Sequence, residues 1–395
     1  MKITSVDIIS IQNGRPFLKG TVWKPTIVRV NTDEGISGYG EIGLAYCDGI
    51  DAGIGIGLDF GKRIIGMNPL EHEVIWDMLH RKTFWAMGGG AVAFAGISGI
   101  DIALWDIKGK YFNEPVHKLL GGKRNKKIRA YASQLQCNWG QDIHPLTDPK
   151  EYIEAARIAV DDGYTAVKLD PFALIPAGEG GAKDFYGLLE RDQIRGAVER
   201  VRAIRENAPE NLDIIIELHS VTDANTAIQI MNALEPFDCL YCEEATQPLN
   251  PELFKYMSEH VKMPLATGER VFSRWGFRPF ITQRSLSVLQ PDICLAGGIT
   301  EVKKIADMAH VYDIAVQPHV CGSPIATAAA LQLEAVIPNF VIHEQHQSQI
   351  LKENTDLCKY DYQPINGYFD VPDRPGIGNE LTEEAIKHSI VHTVK

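Results

Sequence analysis

The chain has 395 residues, of which 45% are hydrophobic and 23% are charged, a composition typical of a globular protein with room for two domains. Its formal net charge of -12 and the lack of a long Lys/Arg run argue against nucleic acid or an anionic membrane as a partner, because both call for a basic face. Seven scattered cysteines, and a strand-like pattern directly after Met1 and Lys2, predict reduced thiols in a cytoplasmic protein.

The first part of the chain, residues 1–125, is predicted to be an α+β domain. The runs ITSVDIIS and TIVRV have strand patterns, and a turn at residues 31–35 leads into a third run, ISGYGEI. Helical patterns follow over about residues 54–110. The apolar stretch 86–105 is rich in glycine and interrupted by Asp101, which favours a buried helix over a membrane span.

Strand and helix patterns alternate from Ile128 onward, as they do around a parallel sheet. Eight strand-like runs lie within about 220 residues: IRAYAS, YTAVKL, DIIIEL, CLYCE, PLATG, LSVLQ, IAVQP and NFVIHE. They predict an α/β fold, a (β/α)8-like TIM barrel over residues 126–365. We expect the turn-rich segment 366–395 to leave the barrel and pack back on the first domain.

Polar residues end most of these strands, at the edge where TIM-barrel enzymes carry their reactive groups. Glu217, Glu243 and Glu269 are evenly spaced, 26 residues apart, and each closes an apolar run. Three converging carboxylates would raise one another's pKa values unless a cation lies between them. Because the set is all oxygen and no cysteine is well placed, it predicts Mg2+ rather than zinc. Any one of these glutamates alone would be interpreted as a solvated strand-end residue.

A candidate acid and a candidate base follow other strands. Asp292 comes after SVLQP and His319 after IAVQP, on neighbouring strands, so the carboxylate can fix the imidazole tautomer and raise its basicity. We therefore predict that His319 is a catalytic base. His219 shares a strand face with Glu217, which suits it to protonate a leaving group, the alternative being a hydrogen bond in support of the metal site.

The segments that carry these residues resemble the enolase superfamily, specifically its mandelate racemase-like branch of acid-sugar dehydratases. The similarity runs nearly from end to end. Its most specific segments are SGIDIALWDIKGK, AVKLDPF, ELHS, CEEA, ATGER, LQPDICLAGGIT, QPHVCGSPIATA and VIHEQ. The AVKLDPF segment is most similar to gluconate dehydratases, with galactonate dehydratases close behind.

The resemblance implies an enolase-type barrel with an N-terminal capping domain, a Mg2+ cofactor and a symmetric homo-oligomer. The site roles that it implies are metal ligands for Glu217, Glu243 and Glu269, a base dyad for Asp292 and His319, a general acid for His219, and a hydrogen-bond partner of the substrate carboxylate for Glu344.

The expected reaction is dehydration of an aldonic acid of the D-gluconate or D-galactonate type to a 2-keto-3-deoxy acid. His319 would take the C2 proton, and the resulting enediolate would expel the C3 hydroxyl with a proton from His219. Lys168 would supply positive charge near the substrate carboxylate.

Racemases of this branch carry Lys-x-Lys on the second strand, whereas this chain has Lys168 and Asp170, which disfavours a two-base racemase. A histidine base with no lysine opposite implies the R configuration at C2. The open alternatives are a dehydratase for D-mannonate or a sugar diacid, and a non-catalytic relative that binds metal or a sugar acid. The expected substrate contacts are Lys168, Asp170, capping-domain residues 17–24 and 45–49, which include Tyr46, and Trp85.

Overall fold

The computed structural model describes residues 1–12, 23–46, 48–172 and 185–395. Of the capping-domain residues expected to contact substrate, residues 17–22 and 47 lie outside these ranges. No helix in the described ranges combines the length and apolar character needed to cross a membrane.

The N-terminal residues form an antiparallel sheet with helices packed on it. Its elements are β1 (Ile3–Ser10), β2 (Thr26–Thr32), β3 (Ser37–Ile42), α1 (Ile50–Ile64), α2 (His72–Arg81), α3 (Ala91–Phe112) and α4 (Val116–Leu119). Helix α3 covers most of the apolar stretch that the sequence assigns to a buried helix, and most of its residues are buried. It approaches β3 closely because β3 carries glycine: a Cβ on Gly40 would lie 2.0 Å from the carbonyl oxygen of Gly99.

All eight predicted barrel strands are present, and they pair in parallel in chain order. They are β4 (Lys127–Ser133), β5 (Ala166–Leu169), β6 (Asp213–Glu217), β7 (Tyr241–Glu243), β8 (Leu265–Thr267), β9 (Val288–Leu289), β10 (Ala315–Val316) and β11 (His343–His346). A parallel bridge between Val316 and Phe340, just before β11, closes the ring. The predicted TIM barrel is therefore confirmed.

Helices α5 to α12 surround the barrel or follow its strands. They are α5 (Pro149–Asp161), α6 (Arg191–Asn207), α7 (Ala224–Leu234), α8 (Pro251–Ser258), α9 (Ser273–Gln283), α10 (Gly298–Val311), α11 (Pro324–Glu334) and α12 (Lys352–Thr355), with 3-10 turns at Ala86–Gly88, Leu135–Cys137, Glu235–Phe237 and Gln347–Ile350. Helix α5 begins as its sequence favours: the Asp148 carboxylate accepts a hydrogen bond from the backbone N–H of Lys150, and Pro149 occupies the first turn.

One apolar layer of the barrel interior consists of side chains that point inward from successive strands. The buried members of this layer are Tyr131, Ala166, Ile215, Tyr241, Ala266, Val288 and Ile342. Because strand side chains alternate, the residues two positions later point inward as well, one level nearer the carboxyl ends of the strands. That next level contains Ser133, Lys168, Glu217, Glu243, Gly268, Gln290 and Glu344. The apolar layer is thus the floor of a polar one.

The C-terminal residues add β12 (Tyr368–Asp370), α13 (Glu383–Lys387) and β13 (Ile390–Val394). Strand β12 pairs with β4, whereas β13 pairs with β1 and so becomes an edge of the N-terminal sheet, in the order β13-β1-β2-β3. The division at residues 125 and 365 stays a prediction.

Buried carboxylates of α3 join the N-terminal unit to the barrel. Asp101 accepts hydrogen bonds from the backbone N–H of Thr300 at 3.0 Å and from its hydroxyl at 2.5 Å, at the start of α10. Asp106 accepts from the backbone N–H groups of Tyr39 and Ile377, each at 2.9 Å. Because a buried carboxylate is costly without such donors, the Asp101 contact defines how the N-terminal unit docks on the barrel, and the Asp106 contacts join that unit to the C-terminal segment.

Two glycines with left-handed backbone test the Asp101 contact. Gly298 has φ +82° and a Cβ there would lie 2.3 Å from the Asp101 carboxylate, whereas Gly121 has φ +119° and nothing within 4 Å. We expect Gly121→Ala to lower the free energy of unfolding by about 1–2 kcal/mol, the cost of the backbone conformation alone. Gly298→Ala should cost about 3 kcal/mol or more, because the clash adds to that strain. Urea unfolding measures the free energy of unfolding of both variants. Equal losses in the two would contradict a tight contact between Gly298 and Asp101.

Candidate active site

A cavity of about 220 Å3 opens at the carboxyl ends of the barrel strands. Residues of the N-terminal unit, including Glu41, Gly43 and Tyr46, form part of its wall. The barrel residues predicted from the sequence that line it are Lys168, Glu217, His219, Glu269, Asp292, His319 and Glu344. Most of the expected site therefore meets in one place.

The ammonium group of Lys168 lies among three carboxylates. Its Nζ is 2.8 Å from Glu344, 2.9 Å from Glu243 and 3.3 Å from Glu217. Burial alone would lower the pKa of Lys168, but the attraction of Glu243 and Glu344 raises it well above its ordinary value, so the side chain is a cation. The positive charge expected from Lys168 is thus held inside the carboxylate group.

The carboxylates respond differently to sharing this space. Burial opposes ionisation of Glu217, yet the positive charges of His219 and Lys168 lower its pKa to about 2. Burial and repulsion from Glu217 raise the pKa of Glu243 to about 8. Such a split is expected when carboxyl groups are too close for all of them to ionise with the cations available. The cluster therefore has capacity for more positive charge.

The three glutamates do not lie at one level. Glu217 and Glu243 are paired across β6 and β7, but Glu243 pairs with Ala266 on β8, which leaves Glu269 three residues further along, beyond the strand end. Glu269 instead lies 3.1 Å from Nε2 of His319 and forms an ion pair with Arg270. Within the described ranges no three His, Cys, Asp or Glu side chains form a ready-made metal site. The metal-ligand role of these glutamates stays a prediction.

The donor set nevertheless fits a hard divalent cation. The side chains are carboxylates on three consecutive strands, and such all-oxygen sets suit Mg2+. One oxygen of Glu243 is buried without a hydrogen-bond partner, and one buried oxygen of Glu217 accepts no hydrogen bond and lies 3.3 Å from the Lys168 ammonium group. Buried unsatisfied carboxylate oxygens are unfavourable, and a cation with its bound water would satisfy them.

His319 and Asp292 form the predicted pair. Nδ1 of His319 lies 2.7 Å from the Asp292 carboxylate, whose other oxygen accepts a hydrogen bond from the backbone N–H of Cys294 at 2.6 Å. A carboxylate can only accept, so Nδ1 carries the proton and Nε2 faces the cavity. Burial alone would lower the pKa of His319, but Glu269 and Glu344 raise it to about 10.

His219 has an aspartate partner that the sequence analysis did not assign to it. Its Nδ1 lies 3.3 Å from the carboxylate of Asp170, a fully buried residue that also accepts from the backbone N–H of Phe172. Burial lowers the pKa of His219, but Glu217 and Asp170 raise it to about 8. Asp170, expected to contact substrate, does not line the cavity and instead lies behind His219.

The two histidines approach the cavity from opposite sides. His219 follows β6 and His319 follows β10, which are four positions apart in a ring of eight strands. Each has its Nδ1 against an aspartate. The arrangement offers two imidazole Nε2 atoms to a molecule held between them.

The remaining predicted residues differ in their placement. Glu344 accepts hydrogen bonds from the Ser133 hydroxyl at 2.8 Å and from the backbone N–H of Val320 at 3.2 Å, which directs its carboxylate to the cavity floor. Trp85 is not brought to the cavity: it is 84% exposed on the N-terminal unit, and its ring contacts Phe84 edge to face at 5.0 Å. It directly precedes the 3-10 turn Ala86–Gly88, on the outer surface.

The residues that line the cavity without having been predicted there include Glu41, Gln134, Arg270 and His346. Two of them had a readable signal, because Arg270 directly follows a predicted metal ligand and His346 is two residues after Glu344, on the same strand face. Arg270 forms ion pairs with both Glu244 and Glu269. Gln134 directly follows β4 and has a left-handed backbone conformation, with φ 73°, which no sequence pattern indicates.

Comparisons with known proteins agree with this architecture. Residues 19–121 match the family described as mandelate racemase / muconate lactonizing enzyme, N-terminal domain, and residues 151–385 match an enolase C-terminal domain-like family. A protein named D-galactonate dehydratase from Variovorax paradoxus is 32% identical over 369 residues, covering 92% of this chain and 90% of that protein. Another of that name, from Pectobacterium atrosepticum, is 32% identical and covers 98% of this chain and 94% of its own length.

The same relationship holds in three dimensions. The crystal structure of an enolase superfamily member from Salmonella Typhimurium superposes with a TM-score of 0.95 at 52% identity, covering all of both chains. Family models matched over most of the chain, together with relatives of this identity and coverage, establish the family. The chain belongs to the mandelate racemase / muconate lactonizing enzyme family of the enolase superfamily.

Proposed function

We propose that this protein is a Mg2+-dependent hydro-lyase that converts an aldonic acid of the D-gluconate or D-galactonate type to a 2-keto-3-deoxy acid. The observation that carries the proposal is the pair of aspartate-bound histidines on opposite sides of one cavity, with a carboxylate cluster between them. Loss of water across C2 and C3 needs one group that removes a proton and another that delivers one. The relatives named D-galactonate dehydratase support the same reaction class.

His319 is the base in this proposal. Hydrogen bonding to Asp292 holds its Nδ1 protonated, and so presents Nε2 to the C2 hydrogen of a bound acid. The Asp292 carboxylate is itself oriented by the backbone N–H of Cys294. The imidazolium that forms after proton transfer is stabilised by that carboxylate.

His219 is the acid. Its partner Asp170 directly follows β5 and lies on the opposite side of the ring from Asp292, so the donated proton reaches the C3 hydroxyl as water leaves. The enol that remains tautomerises to the 2-keto acid. Racemases of this family have a lysine at the position of Asp170, where it is a second base. Because this chain has Asp170 there, a racemase is disfavoured.

Charge on the substrate carboxylate grows as C2 loses its proton. Lys168 supplies a buried positive charge next to that position, and Glu344 lies beside it with one oxygen held by Ser133. Glu217, Glu243 and Glu269 would hold Mg2+, which supplies electrostatic stabilisation of the enediolate when bound. Preorganised charge of this kind is effective because the surrounding groups are buried.

Two further properties belong to the proposal. A cytoplasmic location is consistent with the six described cysteines, all of which are free thiols. The protein is also proposed to be a symmetric homo-oligomer, as the resemblance implies, and light scattering of the purified protein tests this.

The direct test is turnover of a panel of acids with Mg2+, measured by formation of 2-keto product. We expect D-gluconate or D-galactonate to be dehydrated and D-mannonate, which has the opposite configuration at C2, to be slower, because the single histidine base faces one side of C2; sugar diacids are compared in the same panel. Turnover restricted to diacids or to D-mannonate would overturn the choice of substrate. No turnover of any acid would favour a non-catalytic binding protein instead.

Replacement of the base tests the mechanism independently of which acid is best. His319→Asn should lower kcat by about 10²–10⁴-fold, the contribution of one positioned base, with the fold retained by circular dichroism. His343→Asn is a control. His343 is a buried histidine on β11 that pairs with Glu334 and does not line the cavity. Dehydration at an unchanged rate in His319→Asn would exclude His319 as the base.

Metal binding can be measured without turnover. Isothermal titration of the chelator-treated protein with Mg2+ should show one site per chain, and Glu217→Gln or Glu243→Gln should weaken it by at least about tenfold, because a ligand is lost. Glu334→Gln is the matched control, a buried glutamate outside the cavity that keeps its contact with His343. Unchanged affinity in both cluster variants would contradict the assigned ligands.

A further inference from the structure

Glu41, near the end of β3, carries a buried carboxylate from the N-terminal unit into the wall of the cavity. Its oxygens accept hydrogen bonds from the backbone N–H of Ser323 at 3.1 Å and from the Ser323 hydroxyl at 2.6 Å. No step of the proposed reaction uses this side chain. A carboxylate removed from water is costly unless donors meet it, so the contact requires Ser323 to be in this position.

Ser323 begins the helix that follows the base strand. It is the N-cap of α11, where its hydroxyl oxygen accepts from the backbone N–H of Ile325 at 3.2 Å. His319 lies only four residues earlier, in the connection between β10 and α11. A shift of this helix end would therefore move the imidazole that Asp292 orients.

The carboxylate also packs directly on the backbone of that connection. A Cβ added to Gly322 would lie 2.8 Å from an oxygen of Glu41 and 2.6 Å from the Cβ of Ala326. Glycine is thus required for the chain to pass between β3 and α11. Gly43, directly after β3, donates its backbone N–H to the carbonyl of Cys294 at 3.0 Å. The end of β3 therefore also contacts the connection between β9 and α10, which contains Asp292.

We propose that Glu41 is a positioning residue for His319: the N-terminal unit, through this carboxylate, holds the β10–α11 connection so that the base faces the substrate. The base site is then completed only when the two units dock. This proposal rests on the proposed role of His319, and its effect is on catalysis more than on binding.

Asp101 provides the matched control. It makes the equivalent contact from the N-terminal unit to the neighbouring helix, accepting from the backbone N–H and the hydroxyl of Thr300 at the start of α10. Thr300 is eight residues beyond Asp292 and the side chain of Asp101 does not line the cavity. Loss of Asp101 therefore weakens docking without reaching the base connection.

The experiment compares full-length Glu41→Ala and Asp101→Ala with the wild type, by steady-state kinetics on the best acid of the panel and by amide hydrogen exchange. For Glu41→Ala we expect kcat to fall by about 10–100-fold, as for a small misplacement of a reacting group, with KM within about threefold. Exchange should accelerate at residues 319–325 and stay unchanged at 298–302. Asp101→Ala should show the reverse exchange pattern, with kcat within about threefold of wild type.

Two results would overturn the proposal: unchanged kcat and unchanged exchange at residues 319–325 in Glu41→Ala, or equal losses of kcat in both variants, which would reduce Glu41 to a docking contact. If Glu41→Ala does not fold, Ser323→Ala removes the shorter hydrogen bond and should give a smaller shift in the same direction. Exchange is independent of turnover, so a wild type that dehydrates no acid would refute the proposed function, while the exchange data would still decide whether Glu41 holds this connection.

Discussion

The carboxylates crowded above the apolar floor of the barrel are the constraint on which the rest of the site depends. Glu217, Glu243 and Glu344 all lie within 3.3 Å of one ammonium group, Lys168. Mutual repulsion in a buried space would protonate or expel some of them without enough positive charge nearby. The structure supplies that charge with a lysine and two histidines, and the Glu243 oxygen that lacks a hydrogen-bond partner marks where a metal ion would add more.

This electrostatic arrangement also explains why the two histidines can have different duties. His319 lies against Glu269 and Asp292, and His219 against Glu217 and Asp170, so both imidazoles are stabilised as cations, each on its own side of the ring. Binding of an acid affects the pKa values of both histidines, because the substrate carboxylate adds negative charge beside the same cations. His219 can donate a proton from its charged form, whereas His319 must lose its Nε2 proton before it can accept one. A cation held by Glu217, Glu243 and Glu269 would weaken the attraction of Glu269 for that proton and so lower the pKa of His319.

The N-terminal unit contributes more than a cover to the cavity. Its buried carboxylates Asp101 and Glu41 meet the starts of α10 and α11, the two helices that follow the Asp292 and His319 strands. Carboxylates at helix starts are favourable because the N–H groups there lack partners within the helix. Both contacts dock the unit, and in our proposal the Glu41 contact also couples docking to the geometry of the base.

The eight strands, the buried helix and most of the charged residues that line the cavity followed from sequence, because strand periodicity and the position of a polar residue at a strand end are local properties. Tertiary structure alone decided the rest. The even spacing of the glutamates did not reveal that Glu269 lies three residues above the level of Glu243, since strand register depends on pairing. The contacts of Asp170 with His219 and of Glu41 with Ser323 join segments far apart in the chain, so no local pattern indicates them. The exposure of Trp85 likewise depends on how its segment packs in the folded protein.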